Sequence, residues 1–367
     1  MKITTNKDQL LPALIRAGTI VERRQTLPIL ANFLVEVNQG LMTLTGSDLE
    51  VEVRTQITVE ASEDFSFTVP ARKLTDICKS LDDGAEIVLE VGGDKITIRS
   101  GRGRYTLTTL PAEDYPRLEL TTPQEKITLA PDKLKKLIEK TAFAMAQKDV
   151  RYYLQGMLFE GRPGRLRTVA TDGHRLALCD VDLGSEQNPD IQVIVPRKAV
   201  LELNRLLSVE DALPITLEFS TSFMKADLPD GSFATKLIDG RYPDYAKVLP
   251  NVDLKSMVAD RELLQHALQR TAILSNEKFR GVRFRLEPGL LELQAHNPEH
   301  EEAVEELEVA YQGEPITIGF NVGYLLDILN VLEKPQVNMG FIDATSSCLV
   351  TAQGDDQCRY VVMPMRI

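Results

Sequence analysis

The chain repeats itself, and that repeat limits the fold more than any single motif does. Three landmarks recur in the same order along 367 residues. A helical pattern starts at Asp8-Gln9-Leu10-Leu11, at Asp132-Lys133-Leu134 and at Arg261-Glu262-Leu263-Leu264, with Leu10, Leu134 and Leu263 spaced by 124 and 129. Polar turns between strands begin at Thr45 (TGSDLEV), Ala170 (ATDGHRL) and Ala295 (AHNPEHE), spaced by 125 and 125. Strand ends run into helices at Val69-Pro70-Ala71-Arg72-Lys73, Val195-Pro196-Arg197-Lys198 and Ile318-Gly319-Phe320-Asn321, spaced by 126 and 123. A period near one third of the chain means repeated domains, because solenoid units are shorter. The expected domains are 1–123, 124–252 and 253–367, divided at polar segments near Pro123 and Val252-Asp253.

Within each repeat a helix opens, strands follow, a second helix comes next and further strands close. Leu74, Ile77, Cys78 and Leu81 fall at helical spacing, as do Leu325, Ile328, Leu329 and Leu332, giving apolar stripes suited to packing on a sheet. Leu134, Leu137, Ile138, Thr141 and Met145 are expected to share one face. Pro12 removes a backbone hydrogen bond from the first opening helix. The segments 87–91 and 95–99 flank a Gly-Gly-Asp turn and read as a hairpin. The class is α+β, with antiparallel sheets and two helices per domain on one face.

Charge is sorted along the same lines. The net charge is −12, which argues against a broadly basic nucleic-acid surface. Yet the six helical segments with their flanks (7–24, 72–81, 132–148, 197–207, 261–280 and 321–334) total +10, so everything else totals −22. One reading is that solvated helix faces are simply the more basic class of element. The other is that the helices face one shared anionic partner, held through phosphate neutralisation without sequence information. Lys133, Lys136 and Lys140 form a stripe separate from the apolar one and favour the second. Tyr152-Tyr153, after Arg151, reads either as strand packing or as a contact to sugars and bases.

Cys78, Cys179, Cys348 and Cys358 lack C-x-x-C spacing and are expected as buried thiols of a reducing, cytoplasmic compartment. No stretch supplies the ~18 apolar residues of a membrane span or the core of a signal peptide. Enzyme motifs are weak. His296-Asn297-Pro298-Glu299-His300 matches H-x-x-E-H, but Pro298 opposes the helix that pattern needs. Asp172-Gly173-His174 has no G-x-S-x-G nucleophile beside it, and neither phosphate-binding glycine loop is present. The expectation is a non-catalytic protein without cofactor or metal. A metal hydrolase and an acidic scaffold that never meets DNA are the rival readings.

The segments 169–176 (VATDGHRL), 149–154 (DVRYYL), 273–278 (ILSNEK) and 297–299 (NPE), with Met-Pro-Met-Arg at 363–366, resemble the bacterial DNA polymerase III beta subunit family of sliding clamps. The resemblance runs from Thr26 to Ile367. It implies three DNA-clamp domains per chain and a head-to-tail homodimer closed into a ring, with helices lining the hole and sheets outside. The clamp would encircle duplex DNA without sequence preference and tether the replicative polymerase. The clamp loader and repair or bypass polymerases would share a clamp-binding peptide site.

Residue by residue, the expected DNA-facing set is Arg24, Lys148, Tyr152, Tyr153, Arg197 and Lys198. The resemblance places a peptide groove on Leu154, Thr171, Gly173, His174, Arg175 and Leu176. It adds Pro243, Lys247 and Val248, then Ser347, Val361, Val362, Met363, Pro364, Met365 and Arg366. Met, Val and Pro suit a pocket that accepts several ligands. The family usually carries arginine where Lys247 stands, and lysine offers a point charge in place of a fork. For the dimer contact, the basic side would be Lys73, Lys95, Arg102 and Arg104 with Tyr105. The opposing side would be Ile273 and Leu274 with Glu299, Glu301, Glu302, Glu305 and Glu306. Charge reversal at Glu305 and Glu306 is expected to shift the dimer toward monomer.

Overall fold

Among the described residues each repeat follows one order: strand, helix, four strands, helix, three strands; the first adds a two-residue strand, Glu60–Ala61. The computed structural model describes residues 1–22, 27–184, 186–208, 213–250 and 254–366. The opening helices are α1 (Lys7–Gly18), α3 (Pro131–Thr141) and α5 (Arg261–Ile273), and the second helices are α2 (Ala71–Ser80), α4 (Arg197–Leu206) and α6 (Val322–Val331). Local chemistry starts them. Asn6 accepts from the Gln9 amide and caps α1, Asp260 does the same from Leu263 for α5, and Asn321 takes the Gly323 and Tyr324 amides for α6. α1 passes through exposed Pro12 without ending.

Apolar periodicity then decides which face is buried. Leu74 and Cys78 of α2 and Leu325, Ile328 and Leu329 of α6 are fully buried, each worth about 2 kcal/mol of apolar transfer. Two expectations need correction. In α5 the buried leucine is Leu264, while Leu263 is 62% exposed, so the third landmark sits one residue later. α3 stops at Thr141 and Ala142–Ala144 continue as a 3-10 turn, so Met145 is buried beyond the helix and not on its face.

The chain packs as two compact units, Met1–Asp132 with Leu201–Leu237, and Lys133–Val200 with Ile238–Ile367. All pairings are antiparallel among the described residues. In the first unit, a five-stranded sheet ends on the free edge Gly103–Thr108, and an eight-stranded sheet joins two repeats by pairing Gly231–Lys236 with Val51–Thr58. The backbones approach so closely there that a Cβ on Gly231 (φ +153°) would lie 1.9 Å from the Arg54 carbonyl oxygen. In the second unit, an eight-stranded sheet joins repeats two and three by pairing Arg175–Asp182 with Cys358–Val362, and a four-stranded sheet ends on the edge Glu302–Glu308.

That second junction overturns the reading of four free thiols. Cys179 and Cys358 lie opposite one another across the paired strands and are joined as a disulfide; Cys78 and Cys348 are free and buried. Burial raises the pKa of both free thiols. No helix among the described residues is long and apolar enough to cross a membrane.

Candidate functional site

The most developed site lies in the second unit, where the turn after Arg165–Thr171 meets the end of the chain. Asp172 organises that turn: its Oδ1 accepts from the His174 and Arg175 amides at 2.9 and 3.0 Å. The Thr171 hydroxyl donates to the Arg175 carbonyl at 2.6 Å and accepts from the Gly173 amide at 3.1 Å. Gly173 takes φ +89°, and a Cβ there would meet the Arg151 guanidinium at 2.9 Å, so both conformation and space call for glycine.

Arg175 faces inward. Its guanidinium donates to Asp172 at 3.1 Å, to Asp327 on α6 at 2.5 Å and to the Phe143 carbonyl at 2.7 Å, and it lies over the Tyr324 ring at 4.6 Å. Each of its three nitrogens donates to a protein acceptor, so Arg175 holds the wall of the site. His174 is exposed and stacks on the same Tyr324 ring, 6.3 Å between centroids, and its carbonyl accepts from the Met363 amide at 2.9 Å. A strand-like bridge between Gly319 and Met365 fixes the tail beyond it.

The floor and rim are apolar. Leu154, Leu176, Val361 and Val362 are buried, while Met363, Pro364 and Met365 are half-buried and Arg366 is exposed. The segment carrying Pro243, Lys247 and Val248 is pinned by Tyr245, whose hydroxyl donates to Glu160 at 2.5 Å and accepts from Arg162 at 3.0 Å and Arg167 at 3.2 Å. Arg167 in turn forks onto Asp180 with two contacts of 2.6 Å. Val248, Leu249 and Leu349 pack half-exposed over the Leu176 and Val361 core. Lys247 is exposed and pairs with Asp244 at 3.4 Å. Ser347 is half-buried just before the Cys348–Ala352 strand. Past Met365 and Arg366 a cavity of about 410 Å³ continues along Asn276, Phe279, Gly281, His296, Asn297 and Pro298. The structure thus brings the sixteen groove candidates into one unit.

Sequence reasoning passed over Tyr324 and Phe279. Tyr324 was visible only as one position of the α6 pattern, and Phe279, 56% exposed, lay beside the ILSNEK segment already singled out. Nothing in the linear order places either ring beside the chain terminus.

The basic candidates fare unevenly. Lys148 and Lys198 are exposed, and Tyr152 is 56% exposed, edge-on to half-buried Tyr153 at 5.7 Å. Arg197 is half-buried and donates to the Ala142 and Met145 carbonyls; burial, then the charge of Arg175, lowers its pKa. Arg24 lies outside the described residues. The α3 lysine stripe turns toward the protein: Lys133 donates to the Asp182 carbonyl at 2.7 Å, Lys136 to Gln357 at 2.6 Å, and Lys140 to Glu333 and the Val331 carbonyl. The stripe therefore ties α3 to its neighbours and does not offer three open cations.

For the dimer candidates, Lys73, Lys95, Arg102, Arg104 and Tyr105 are exposed in the first unit, with Arg104 and Tyr105 on its free edge strand. In the second unit Ile273 is 76% exposed at the end of α5, with Leu274 following, and Glu299, Glu301, Glu302 and Glu306 are exposed. Glu301 accepts from the Asn297 side chain at 2.6 Å, and Glu305 is held by Arg270 in a two-pronged contact of 2.7 Å each. His296 ends a strand and His300 sits in the following turn at φ +65°, so the H-x-x-E-H segment is not a helix that could align both imidazoles.

Three family models match the chain: the N-terminal domain of DNA polymerase III beta subunit over residues 1–119, its central domain over 128–244 and its C-terminal domain over 246–366. The beta sliding clamp of Pseudomonas aeruginosa is 48% identical over the whole of both chains. A crystal structure of DNA polymerase III subunit beta from that organism superposes with TM-score 0.97 at 48% identity, covering all of both chains. Another, of a sliding clamp from the same organism bound to griselimycin, gives 0.96 at the same identity and coverage.

Proposed function

The chain belongs to the DNA polymerase III beta subunit family, the sliding clamps, and on that premise we propose how it closes on DNA and what it holds there. It is a non-catalytic processivity factor with three clamp domains. We take the domains as 1–123, 124–252 and 253–367, working in the cytoplasm.

The pairing of the sheets carries the proposal. Twice within the chain, the last strand of one repeat pairs with the third of the four strands between the helices of the repeat before it: Gly231–Lys236 on Val51–Thr58, and Cys358–Val362 on Arg175–Asp182. The same rule leaves the third repeat with Glu302–Glu308 open and the first with Gly103–Thr108 open. These two edges fit a second copy of the chain, each supplying the strand the other lacks, and a head-to-tail contact that closes after two chains makes a ring. Arg102, Arg104 and Lys95 on one side and Glu301, Glu302 and Glu306 on the other are of opposite sign, which favours this register of partners.

The ring would surround duplex DNA, with Arg24, Lys148, Tyr152, Tyr153 and Lys198 making weak, mobile contacts, and Arg197 contributing what its carbonyl bonds leave over. Retention is topological, so strong phosphate binding is not required. The groove at Leu176, Val361 and Met363–Met365 would take an extended peptide of the replicative polymerase, with clamp loader and repair or bypass polymerases competing for it. Tethering converts dissociation of a polymerase into a local, quickly reversed event. The loader consumes ATP; this chain does not. The test is retention after loading: the clamp should stay on nicked circular DNA and be lost from linear DNA of the same length. Equal retention on both would reject encirclement.

A further inference from the structure

Every opening helix carries a cation at its tenth residue: Arg16 in α1, Lys140 in α3 and Arg270 in α5. Burial fixes this alignment, since Leu10, Leu134 and Leu264 are the buried fourth residues and Leu14, Ile138 and Leu268 the buried eighth. In the first unit, Arg16 donates to the carbonyl of Leu206, the last residue of α4, at 2.8 Å and to Asp230 at 2.8 Å. In the second, Lys140 donates to the carbonyl of Val331, the last residue of α6, and to Glu333 at 2.5 Å. The two contacts share their main acceptor: a cation of one repeat sits on the C-terminal carbonyl of the next repeat's second helix, while the accompanying carboxylate comes from the hairpin turn at Asp230 in the first unit and from Glu333, two residues past α6, in the second. Helix C-termini collect unpaired carbonyls and the negative end of the dipole, which explains the choice of a cation.

Arg270 belongs to the third repeat, and it rests on Glu305 of its own sheet, with the arginine still 57% exposed. We propose that when a second copy closes the ring, Arg270 leaves Glu305 for the C-terminus of that copy's α2, taking the Ser80 carbonyl and the Asp82 carboxylate, and that Glu305 is the competing seat that keeps this joint weaker than the two within the chain. The inference rests on the ring closure argued above. α2 offers matching groups: Ser80 is its last residue, and exposed Asp82 follows two positions later, as Glu333 follows Val331. Lys7 of the same repeat occupies the neighbouring Leu81 carbonyl at 2.6 Å and Asp83 at 2.8 Å, so the acceptors for Arg270 are separate groups.

Sedimentation of the full chain over a concentration series reads the dimer Kd directly. Dissociation opens two joints, so about threefold at each appears as about tenfold in Kd. Arg270→Gln and Asp82→Asn should each raise Kd about tenfold, and the pair together should be no worse than either alone. Glu305→Gln should lower Kd by a similar factor, the opposite of the loss that the sequence alone suggests for Glu305, because Arg270 already occupies that carboxylate; a misfolded variant could not produce such a gain. A rise in Kd with Glu305→Gln would overturn the proposal, because Glu305 would then bind the second copy itself. So would an Arg270→Gln dimer of unchanged Kd. An unmodified chain that stays monomeric at every concentration would instead remove ring closure, and this joint with it.

Discussion

Arg175 offers the sharpest test of how the groove is built. Its side chain is only 10% exposed and satisfies Asp172, Asp327 and the Phe143 carbonyl together. Replacing it by methionine keeps the packing volume and removes the charge, leaving Asp172, 17% exposed, without its cation. Breaking a buried pair from one side costs about 3–5 kcal/mol. Asp327, 45% exposed, is largely rescued by water, so the lower end applies, about 3 kcal/mol. Native-state hydrogen exchange should therefore speed up about a hundredfold at 142–146 and 172–176. Affinity for an extended partner peptide should fall with it, as His174 and Tyr324 lose their common support. Arg175→Lys keeps a charge without the fork and should recover about half of the loss. The reasoning fails if peptide affinity drops while exchange at both segments stays unchanged, for Arg175 would then be touching the peptide directly.

Three further outcomes follow from the geometry. Met365→Ala, at a half-buried position of the tail, should weaken peptide binding about tenfold with thermal stability unchanged; an unchanged affinity would move the groove away from the tail. Lys148→Ala should reduce the salt slope of DNA binding by about one and weaken all sequences equally, and a sequence-dependent loss would contradict mobile phosphate contact. The hydrogen bonds from Arg151 hold the Asp149 carboxyl down at about 2, below the ordinary carboxylate range. A depressed folded-state pKa stabilises the 149–155 segment above the unfolded value and loses that effect as pH falls toward 2. A carboxyl NMR titration of Asp149 with its midpoint near 4 would rule this out.

The repeat was legible because burial imposes periodicity that survives in the letters: Leu74 and Cys78 on α2 and Leu325 and Leu329 on α6 sit where the spacing puts them. The groove was readable only through resemblance, since its parts are separated by nearly two hundred positions and meet through strand pairing across a repeat boundary. That same pairing hid the Cys179–Cys358 bond. Lysine direction was illegible for a different reason. Lys133, Lys136 and Lys140 lie on one stripe of α3, but long flexible stems let each head reach a carbonyl or amide of a neighbouring element, and a helical wheel carries no information about such acceptors. Arg175 reads in the sequence like any exposed turn arginine, and only Asp327 and Phe143, distant in the chain, make it an anchor.

The two eight-stranded sheets that run across repeat boundaries have a consequence for any attempt to dissect the molecule. Cutting out the middle repeat would strip partners from Gly231–Lys236 and Arg175–Asp182 at once, baring rows of amides and carbonyls on apolar strands. Such a fragment would be prone to stick to copies of itself. Each repeat's sheet is completed by its neighbour, so the smallest piece that hides its own strand edges is larger than one repeat.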